Sequence, residues 1–273
     1  MSFAADFVFF DSGTGGIPYM LYLKQKSPHS SCVYVADTKN FPYGEKSGGE
    51  IVRCASDTVH LILRRFVPRA FVVACNTLSV TALEQLRAAF PAVPFVGTVP
   101  AIKQAAAVSK NRRIGLLATQ RTVDEPYTAE LAQRFASDCT LIKRADPALI
   151  EFIEHDFFTA SEADKKAAVK PAVNFFLENG TDTIILGCTH FLHIADVIAQ
   201  EAGKEVQVVD SKEGVVNQAL RVAPADSAVH CKAGSTDCTF FISGPSGIDE
   251  APYKVLSKKL GIPYGGILAE YNV

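Results

Sequence analysis

Short runs of apolar, often β-branched residues alternate along the chain with longer segments in which apolar residues recur at helical spacing. The short runs predict buried strands, and the longer segments predict amphipathic helices. Strands that alternate with helices generally pair in parallel and carry helices on both faces of the sheet. We therefore predict an α/β protein of two doubly wound, mostly parallel-sheet domains related by pseudo-twofold symmetry, with the active site in the cleft between them.

The order of the predicted elements also divides the chain into domains. We expect residues 1–97 plus 212–273 to form the first domain and residues 98–211 the second, because a late strand near residue 239 has no other obvious sheet to join than the first. Strands are predicted at residues 7–10, 32–36, 71–74, 94–97, 113–119, 139–143, 183–186, 206–209 and 239–242. Helices are predicted at residues 17–26, 51–66, 81–87, 125–135, 147–157, 163–178, 192–201 and 253–260, and residues 218–220 are expected to lie in a further helix after the strand at 206–209.

Two of the predicted strands end in similar sequences. Residues 71–77 read Phe-Val-Val-Ala-Cys-Asn-Thr, and residues 183–190 read Thr-Ile-Ile-Leu-Gly-Cys-Thr-His. Cys75 and Cys188 thus occupy equivalent places, where a strand passes into a helix and the positive end of the helix dipole favours a thiolate. The alternatives are that each cysteine is a small buried apolar residue, and that the similarity is accidental. Three residues are candidates for capping the helix that follows Cys75: Asn76, Thr77 and Ser79.

A glycine-rich turn, Asp-Ser-Gly-Thr-Gly-Gly at residues 11–16, separates the first predicted strand from the first predicted helix. Such a turn offers backbone N–H groups to an anion. Pro18 stands where a dinucleotide-binding fingerprint needs its third glycine, and no Gly-Lys-Ser/Thr follows, so neither nucleotide motif is present. The turn fits a small carboxylate or phosphate, or it is simply a tight turn that requires glycine.

A polar loop at residues 37–44 follows the second predicted strand. Pro42 and Gly44 favour a turn around Tyr43. The loop could close over a ligand or serve only as a connector.

Composition narrows the function further. The chain has 273 residues, of which 48% are hydrophobic, and its 27 basic and 29 acidic residues leave a net charge of −2. This balance argues against a nucleic-acid surface as its main function. Its seven cysteines include no CxxC pair, which, without a signal peptide, indicates free thiols in the cytoplasm. No uncharged run reaches the roughly 18 residues that a membrane span needs.

No cofactor and no metal ion is predicted. His190 and His193 are three residues apart, but no third metal ligand is evident in the sequence. Both are therefore expected to be surface or core histidines that bind no metal. Acid–base chemistry by the cysteines themselves remains. A thiol with a pKa of about 8.5 can donate a proton, and its thiolate can accept one. Two such groups on opposite faces of a carbon would remove its proton on one side and replace it on the other, which inverts its configuration.

Four segments resemble the motifs of glutamate racemases. They are Phe-Asp-Ser-Gly-Thr-Gly-Gly at 10–16, Phe-Pro-Tyr-Gly-Glu-Lys-Ser at 41–47, Ala-Cys-Asn-Thr at 74–77 and Leu-Gly-Cys-Thr-His at 186–190. The resemblance extends over the whole chain, with the motifs in the right order. It implies a cofactor-independent enzyme, a homodimer, that interconverts L- and D-glutamate by two bases and supplies D-glutamate for peptidoglycan.

The resemblance also implies roles for individual residues. Cys75 and Cys188 would be the paired acid–base thiols, with Asp11 assisting at Cys75 and His190 at Cys188. An acidic residue of the second domain is best matched by Glu154, with Glu151 as the fallback and a solvated helix face as the alternative for both. The substrate contacts implied are Asp11, Ser12, Pro42, Tyr43, Gly44, Asn76, Thr77, Thr119, Thr189 and His190.

Other functions stay open at this point. Aspartate racemases and related enzymes also use paired cysteines, and the volume of the pocket decides between aspartate and glutamate. A decarboxylase of the same fold would be expected to keep only one of the two cysteines. A non-catalytic protein that binds a small carboxylate at the strand ends is the remaining alternative. Such a protein would not need Asp11, both thiols and His190 together.

Overall fold

The chain forms two sheets, and every strand pair in the described part of both sheets is parallel. The computed structural model describes residues 3–223, 238–244 and 248–268. The mixed α/β fold with mainly parallel sheets confirms the predicted fold class. The chain divides into two compact units, one of residues 1–98 and 212–273 and a second of Val99–Ser211. No helix in the described ranges is both long and apolar enough to cross a bilayer.

The first unit contains a six-stranded sheet in the order β10-β9-β2-β1-β3-β4. The late strand β9 pairs with β2, so the segment near residue 239 belongs to this sheet. The strands are β1 (Phe3–Asp11), β2 (Cys32–Ala36), β3 (Phe66–Val73), β4 (Phe95–Gly97), β9 (Cys238–Ile242) and β10 (Tyr264–Ile267).

The second unit contains a four-stranded sheet in the order β6-β5-β7-β8. Its strands are β5 (Arg113–Ala118), β6 (Thr140–Ala145), β7 (Thr183–Leu186) and β8 (Gln207–Val209). The central strands of both sheets are buried along almost their whole length, as expected for parallel strands with helices on both faces.

Helices connect most of the strands. In the first unit they are α1 (Ile17–Lys26), α2 (Gly48–Arg65), α3 (Asn76–Ala89), α10 (Lys212–Val222) and α11 (Ala251–Leu260), with a 3₁₀ turn at Tyr43–Glu45. In the second unit they are α4 (Ile102–Val108), α5 (Gln120–Asp124), α6 (Pro126–Phe135), α7 (Pro147–His155), α8 (Glu162–Glu178) and α9 (Ala195–Ala202), with a 3₁₀ helix at Thr189–Ile194.

Parallel register brings several chain segments to one edge of each sheet. In the first unit Phe10 is paired with Val35 on one side and with Val73 on the other, so the residues that follow these three positions emerge together. In the second unit Leu117 is paired with Arg144 and Leu186 in the same way. The carboxyl ends of parallel strands are where α/β proteins generally bind ligands.

Several helix starts differ from those predicted. Helix α3 begins at Asn76 rather than at residue 81, because Cys75 itself has the extended backbone of an N-cap residue. Helix α2 begins at Gly48, since Ser47 and Glu50 form a reciprocal capping box that was not predicted. After Cys188 the chain forms a 3₁₀ helix, and the α-helix begins only at Ala195.

Three elements were not predicted at all: α4, α5 and β10. Strand β10 has the sequence Tyr-Gly-Gly-Ile, which lacks the apolar, β-branched character on which strand prediction depends. Its pairing with β9 shifts register between Tyr264 and Gly266, and Gly266 has a φ of 85°. Such an irregular edge strand depends on glycine rather than on a hydrophobic pattern.

Candidate active site

Cys75 lies at the junction of β3 and α3. Its backbone (φ −140°, ψ 119°) is that of an N-cap residue, and its side chain is 5% exposed. The preceding residue, Ala74, donates a backbone hydrogen bond of 2.7 Å to the carbonyl oxygen of Phe10 at the end of β1. This bond ties the Cys75 turn to the central strand of the sheet. The thiol stands at the first turn of a 14-residue helix, where the helix dipole favours a negative charge.

The three residues predicted to cap α3 do not cap it. Asn76 and Thr77 are the first residues within the helix, and the N-cap forms no side-chain hydrogen bond. The Ser79 hydroxyl instead donates to the Val73 carbonyl (3.2 Å) and accepts from the Thr98 N–H (2.8 Å). Ser79 therefore links β3 to the segment after β4.

Asn76 is a buried amide whose side-chain atoms have no hydrogen-bond partner among the described residues. Its side chain is almost fully buried, and both Oδ1 and Nδ2 are without partners. A buried polar group without a partner costs roughly 1–3 kcal/mol, so natural proteins rarely keep one without a reason. A ligand that satisfies this amide is such a reason.

Asp11 and Ser12 emerge from β1 beside the Cys75 turn. Asp11 is fully buried, and its Oδ1 accepts hydrogen bonds from the N–H (2.6 Å) and the hydroxyl (3.3 Å) of Ser12. Its Oδ2 would lie 3.0 Å from a Cβ atom added to Gly16, in a space also bounded by the Ala74 carbonyl oxygen at 2.6 Å. Glycine is thus required where the turn after β1 approaches the Cys75 strand.

Tyr43 anchors the loop that follows β2. Its side chain is 1% exposed, and its phenol donates to Oδ2 of Asp37, the first residue after β2. Burial, together with the neighbouring Asp37 carboxylate, holds the pKa of the Tyr43 phenol well above its ordinary value. The phenol therefore stays a neutral donor, and a ligand would meet this residue and its neighbours Pro42 and Gly44 through the backbone.

Cys188 occupies the matching place in the second unit, between β7 and the 3₁₀ helix. Its backbone (φ −131°, ψ 139°) is also that of an N-cap residue, and its side chain is also 5% exposed. The preceding Gly187 donates a 2.7 Å hydrogen bond to the carbonyl oxygen of Leu117 at the end of β5. Thr189, the next residue, is buried as well.

A chain of ionisable groups leads away from Cys188. Its Sγ lies 3.6 Å from Nδ1 of His190, and Nε2 of His190 lies 2.8 Å from Oε2 of Glu154 on α7. The His190 and Glu154 side chains are each 3% exposed. Burial alone would lower the pKa of His190, but the hydrogen bonds and charges of Cys188 and Glu154 raise it well above the ordinary value. The imidazole is thus held in its protonated form between two potential anions.

The structure distinguishes the two acidic residues considered for this place. Glu154 reaches His190, whereas Glu151 lies one turn earlier on the exposed face of α7 and pairs with His155 at 3.2 Å. His193 does not join His190. It packs edge-on against Phe158, with a separation of 5.2 Å between ring centroids.

Thr119 lies at the end of β5 and caps α5. Its hydroxyl accepts from the N–H of Thr122 at 3.1 Å. The Thr119 side chain already serves as a helix cap. Thr119 remains a candidate for substrate contact only because it lies at the end of the strand. Within residues 3–223, 238–244 and 248–268, no three His, Cys, Asp or Glu side chains form a group suited to a metal ion.

Two further buried polar residues lie at the same edge of the first sheet and were not assigned to the site from the sequence. Asp37 follows β2 as Asp11 follows β1, and its N–H donates to the Asp11 carbonyl at 2.8 Å. The Tyr34 hydroxyl donates to the Gly13 carbonyl (2.8 Å) and accepts from the Gly16 N–H (3.0 Å). An acidic residue directly after a buried strand was the available signal for Asp37.

A protein-family model described as Asp/Glu/Hydantoin racemase matches residues 22–219. The chain belongs to this family. Racemases are isomerases, so the expectation of an enzyme of this superfamily is confirmed.

Members of the family resemble the chain over most of its length. A glutamate racemase of Treponema pallidum (strain Nichols) is 41% identical over 263 residues, which cover 96% of each chain. A glutamate racemase of Pseudomonas aeruginosa is 37% identical over 216 residues, 79% of this chain and 80% of that protein. The crystal structure of Escherichia coli glutamate racemase in complex with L-glutamate and the activator UDP-MurNAc-Ala superposes with a TM-score of 0.84 at 31% identity, covering 97% and 98% of the two chains.

Proposed function

We propose that this racemase interconverts L- and D-glutamate without a cofactor, with Cys75 and Cys188 as the two acid–base groups. The observation that supports this most directly is the pair of buried thiols at strand ends, each in the same N-cap conformation. The relatives of 37–41% identity described above, all glutamate racemases, favour glutamate over aspartate as the substrate.

The reaction needs only the movement of protons. A thiolate on one face takes the α-proton, the electron pair remains on the α-carbon, and the thiol on the other face delivers its proton there. The first sulfur ends as a thiol and the second as a thiolate, so the enzyme is ready for the reverse turnover. A positioned acid–base group of this kind contributes roughly 10²–10⁴-fold to the rate.

At the Cys75 end, buried polar groups suit the charged parts of an amino acid. The Asp11 carboxylate would bind a cationic group of the substrate or accept a proton from it. In this way Asp11 would assist Cys75. The unpartnered amide of Asn76 supports a ligand contact, because it both donates and accepts. The further substrate contacts proposed in this unit are Ser12, Pro42, Tyr43, Gly44 and Thr77.

At the Cys188 end, His190 and Glu154 would poise the thiol. An imidazolium 3.6 Å from the sulfur stabilises a thiolate, and Glu154 keeps the imidazole charged. When Cys188 is protonated, the same imidazole remains paired with Glu154. Thr119 and Thr189 are the substrate contacts proposed in this unit.

We place the domain boundaries at residues 97/98 and 211/212, with Asp11, Tyr43 and Cys75 in the first domain and the Glu154–His190–Cys188 chain in the second. The enzyme would act in the cytoplasm and supply D-glutamate for peptidoglycan synthesis. By analogy with the family we propose a homodimer.

Isotope exchange during racemisation tests the proposal. In D₂O, each enantiomer of glutamate should acquire one solvent deuterium at the α-carbon as it inverts, while the unreacted enantiomer keeps its proton, because two different groups handle the two faces. Cys75→Ala and Cys188→Ala should each reduce racemisation by at least roughly 10³-fold, because each variant lacks one of the two proposed bases.

Controls make the result decisive. Cys139→Ala, which removes a half-exposed cysteine preceding β6, should leave the rate unchanged. Circular dichroism with L-aspartate in place of L-glutamate measures the substrate preference. A chain that binds glutamate but neither inverts nor exchanges it would be a carboxylate-binding protein, and a single cysteine variant that keeps most of its turnover would refute the two-thiol assignment.

A further inference from the structure

Asp37 is the centre of a buried polar cluster in the first unit. Its carboxylate is fully buried and accepts hydrogen bonds from the Tyr43 phenol and from the Ser243 hydroxyl. The side-chain amide of Asn40 lies 3.1 Å from Oδ1 and 3.0 Å from Oδ2. Three separate chain segments therefore meet at one carboxylate: the end of β2, the loop that carries Tyr43, and the end of β9.

Ser243 makes the most distant of these contacts along the chain. It directly follows β9 and is 7% exposed. Its N–H donates to the Ala36 carbonyl at 2.9 Å, which continues the ladder between β9 and β2. Its hydroxyl donates to Oδ1 of Asp37 and accepts from the Lys39 N–H at 3.4 Å. The hydroxyl thus holds both the carboxylate and the backbone of the loop.

The Tyr43 loop depends on this carboxylate for its position. The phenol is buried and committed to Oδ2 of Asp37, so a displacement of Asp37 is transmitted to the ring. Pro42 and Gly44 directly flank Tyr43 in the chain, at the start of the 3₁₀ turn Tyr43–Glu45. Tyr43 also shares a buried apolar cluster with Cys75, so the loop, the tyrosine and the thiol pack as one region.

We propose that Ser243 is a positioning residue for this reaction: it orients Asp37, and through Asp37 and Tyr43 it fixes the backbone of residues 42–44 for contact with the substrate carboxylate. This inference rests on the proposed function, which assigns Pro42, Tyr43 and Gly44 to the substrate. The C-terminal return of the chain thereby contributes to substrate binding without touching the substrate.

The hydroxyl is not needed to hold the strand. Five consecutive residue pairs join β9 to β2, from Cys32 with Cys238 to Ala36 with Ile242, and β10 covers the other edge of β9. Removing the hydroxyl should therefore leave the sheet paired, and it frees one acceptor site of the Asp37 carboxylate together with the Lys39 N–H. A hydrogen bond to a charged group is stronger than one between neutral groups, so its loss is measurable.

Steady-state kinetics of Ser243→Ala give the first test. We expect KM for both enantiomers to rise about tenfold, with kcat changed by less than about threefold, because the loop binds the substrate while the thiols perform the chemistry. Ser243→Thr, which keeps the hydroxyl, should restore KM to within a few-fold of the original value. Ser257→Ala is the matched control: this serine is equally buried on α11, and its hydroxyl bonds to the Ile262 carbonyl away from the cluster.

A second measurement does not depend on catalysis. With tyrosine labelled by ¹³C at the ring carbon that carries the hydroxyl, the Tyr43 resonance is assigned from its absence in Tyr43→Phe. Ser243→Ala should shift this resonance, whereas Ser257→Ala should not. If the wild-type chain failed to racemise glutamate, the proposed function would fall, and this resonance together with calorimetric binding of glutamate would still test the positioning role. An unchanged KM with an unchanged Tyr43 resonance, or a loss confined to kcat, would overturn the inference.

Discussion

The two cysteine turns of this racemase have the same backbone and different chemical surroundings. In each unit the residue before the cysteine donates a 2.7 Å hydrogen bond to the central strand, Ala74 to Phe10 in one case and Gly187 to Leu117 in the other. Each cysteine then takes an extended N-cap conformation with the same small exposure. The scaffold for a buried thiol is thus built twice.

The ionisable side chains near the two thiols, in contrast, differ between the units. Phe10 is followed by Asp11, which places a carboxylate on the strand next to Cys75, but Leu117 is followed by Ala118, which has only a methyl group. The second unit obtains its charged groups from elsewhere: His190 from the 3₁₀ helix and Glu154 from α7. In the proposed mechanism, one thiol would therefore be assisted by a carboxylate and the other by an imidazole that is itself paired with a carboxylate. This difference suits a reaction in which the two thiols must be in opposite protonation states.

A second correspondence lies one strand further out. Asp37 donates its N–H to the Asp11 carbonyl, and Asp146 donates its N–H to the Ala118 carbonyl at 3.3 Å. Each aspartate then organises the segment after its strand. Asp37 binds the phenol of the Tyr43 loop, while Asp146 caps α7 by accepting from the Leu149 N–H at 3.1 Å. Equivalent aspartates thus anchor the proposed substrate loop in one unit and the helix that carries Glu154 in the other.

Asp11→Asn and His190→Asn should have the largest effects among variants that keep both thiols. Each removes the ionisable group that is proposed to assist one thiol, and we expect kcat/KM to fall by roughly 10²-fold. Since the two enantiomers have equal free energy, kcat/KM must fall equally for both, and the difference between the units has to be sought in isotope effects. With α-deuterated substrates, each variant should enlarge the isotope effect for the enantiomer whose proton its own thiol removes.

The comparison between the units predicts that the two variants enlarge the isotope effect for opposite enantiomers. The wild-type enzyme, measured with the same α-deuterated L- and D-glutamate, is the reference. If both variants enlarged the isotope effect for the same enantiomer, Asp11 and His190 would not serve different thiols.

Glu154→Gln should have a smaller effect, because it leaves the imidazole in place. Glu154 and Cys188 both raise the pKa of His190, so the loss of the Glu154 carboxylate should lower that pKa and reduce the protonated fraction of the imidazole at pH 8. We expect roughly a tenfold loss of kcat at that pH, recovered in part as the pH is lowered. ¹⁵N-histidine NMR, with His190 assigned from His190→Asn, measures the pKa directly.

Glu151→Gln is the matched control for this variant. It lies on the same helix, one turn away, and its partner is the exposed His155. Both the pKa of His190 and kcat should be unchanged. A Glu154→Gln enzyme with the original His190 pKa would show that Cys188 alone keeps the imidazole charged.

The choice between Glu151 and Glu154 was within reach of sequence reasoning. Ile150 and Ile153 are buried, and Glu154 lies four residues after Ile150, so it shares the inward face of α7. Glu151 lies four residues before His155, on the outward face. Helical periodicity therefore separates the two glutamates, although the family resemblance alone left both open.

Other parts of the site could not be predicted from local patterns. The cysteine turns and the strands before them follow from short apolar runs, which are local signals. The bond between Ser243 and Asp37 joins residues 206 positions apart and depends on β9 lying beside β2. The start of α3 depends on the backbone conformation of Cys75, and cysteine has no strong preference for the N-cap position. Strand order and unusual caps are properties of the assembled sheet.

The smallest effects should come from exchanging the residues before the two cysteines. A Cβ atom added at Gly187 would lie 2.6 Å from a Leu116 methyl group and 3.1 Å from the Leu117 carbonyl oxygen, so in Gly187→Ala the buried Leu116 side chain must move and the backbone at Leu117 must yield slightly. We expect a loss of about 1–3 kcal/mol in the free energy of unfolding. Ala74→Gly removes only a buried methyl group and should cost about 1 kcal/mol. Urea unfolding at matched pH measures both. The backbone hydrogen bonds from Ala74 to Phe10 and from Gly187 to Leu117 have the same length. A larger loss of unfolding free energy for Ala74→Gly than for Gly187→Ala would therefore mean that the packing around the two turns differs more than these hydrogen bonds indicate.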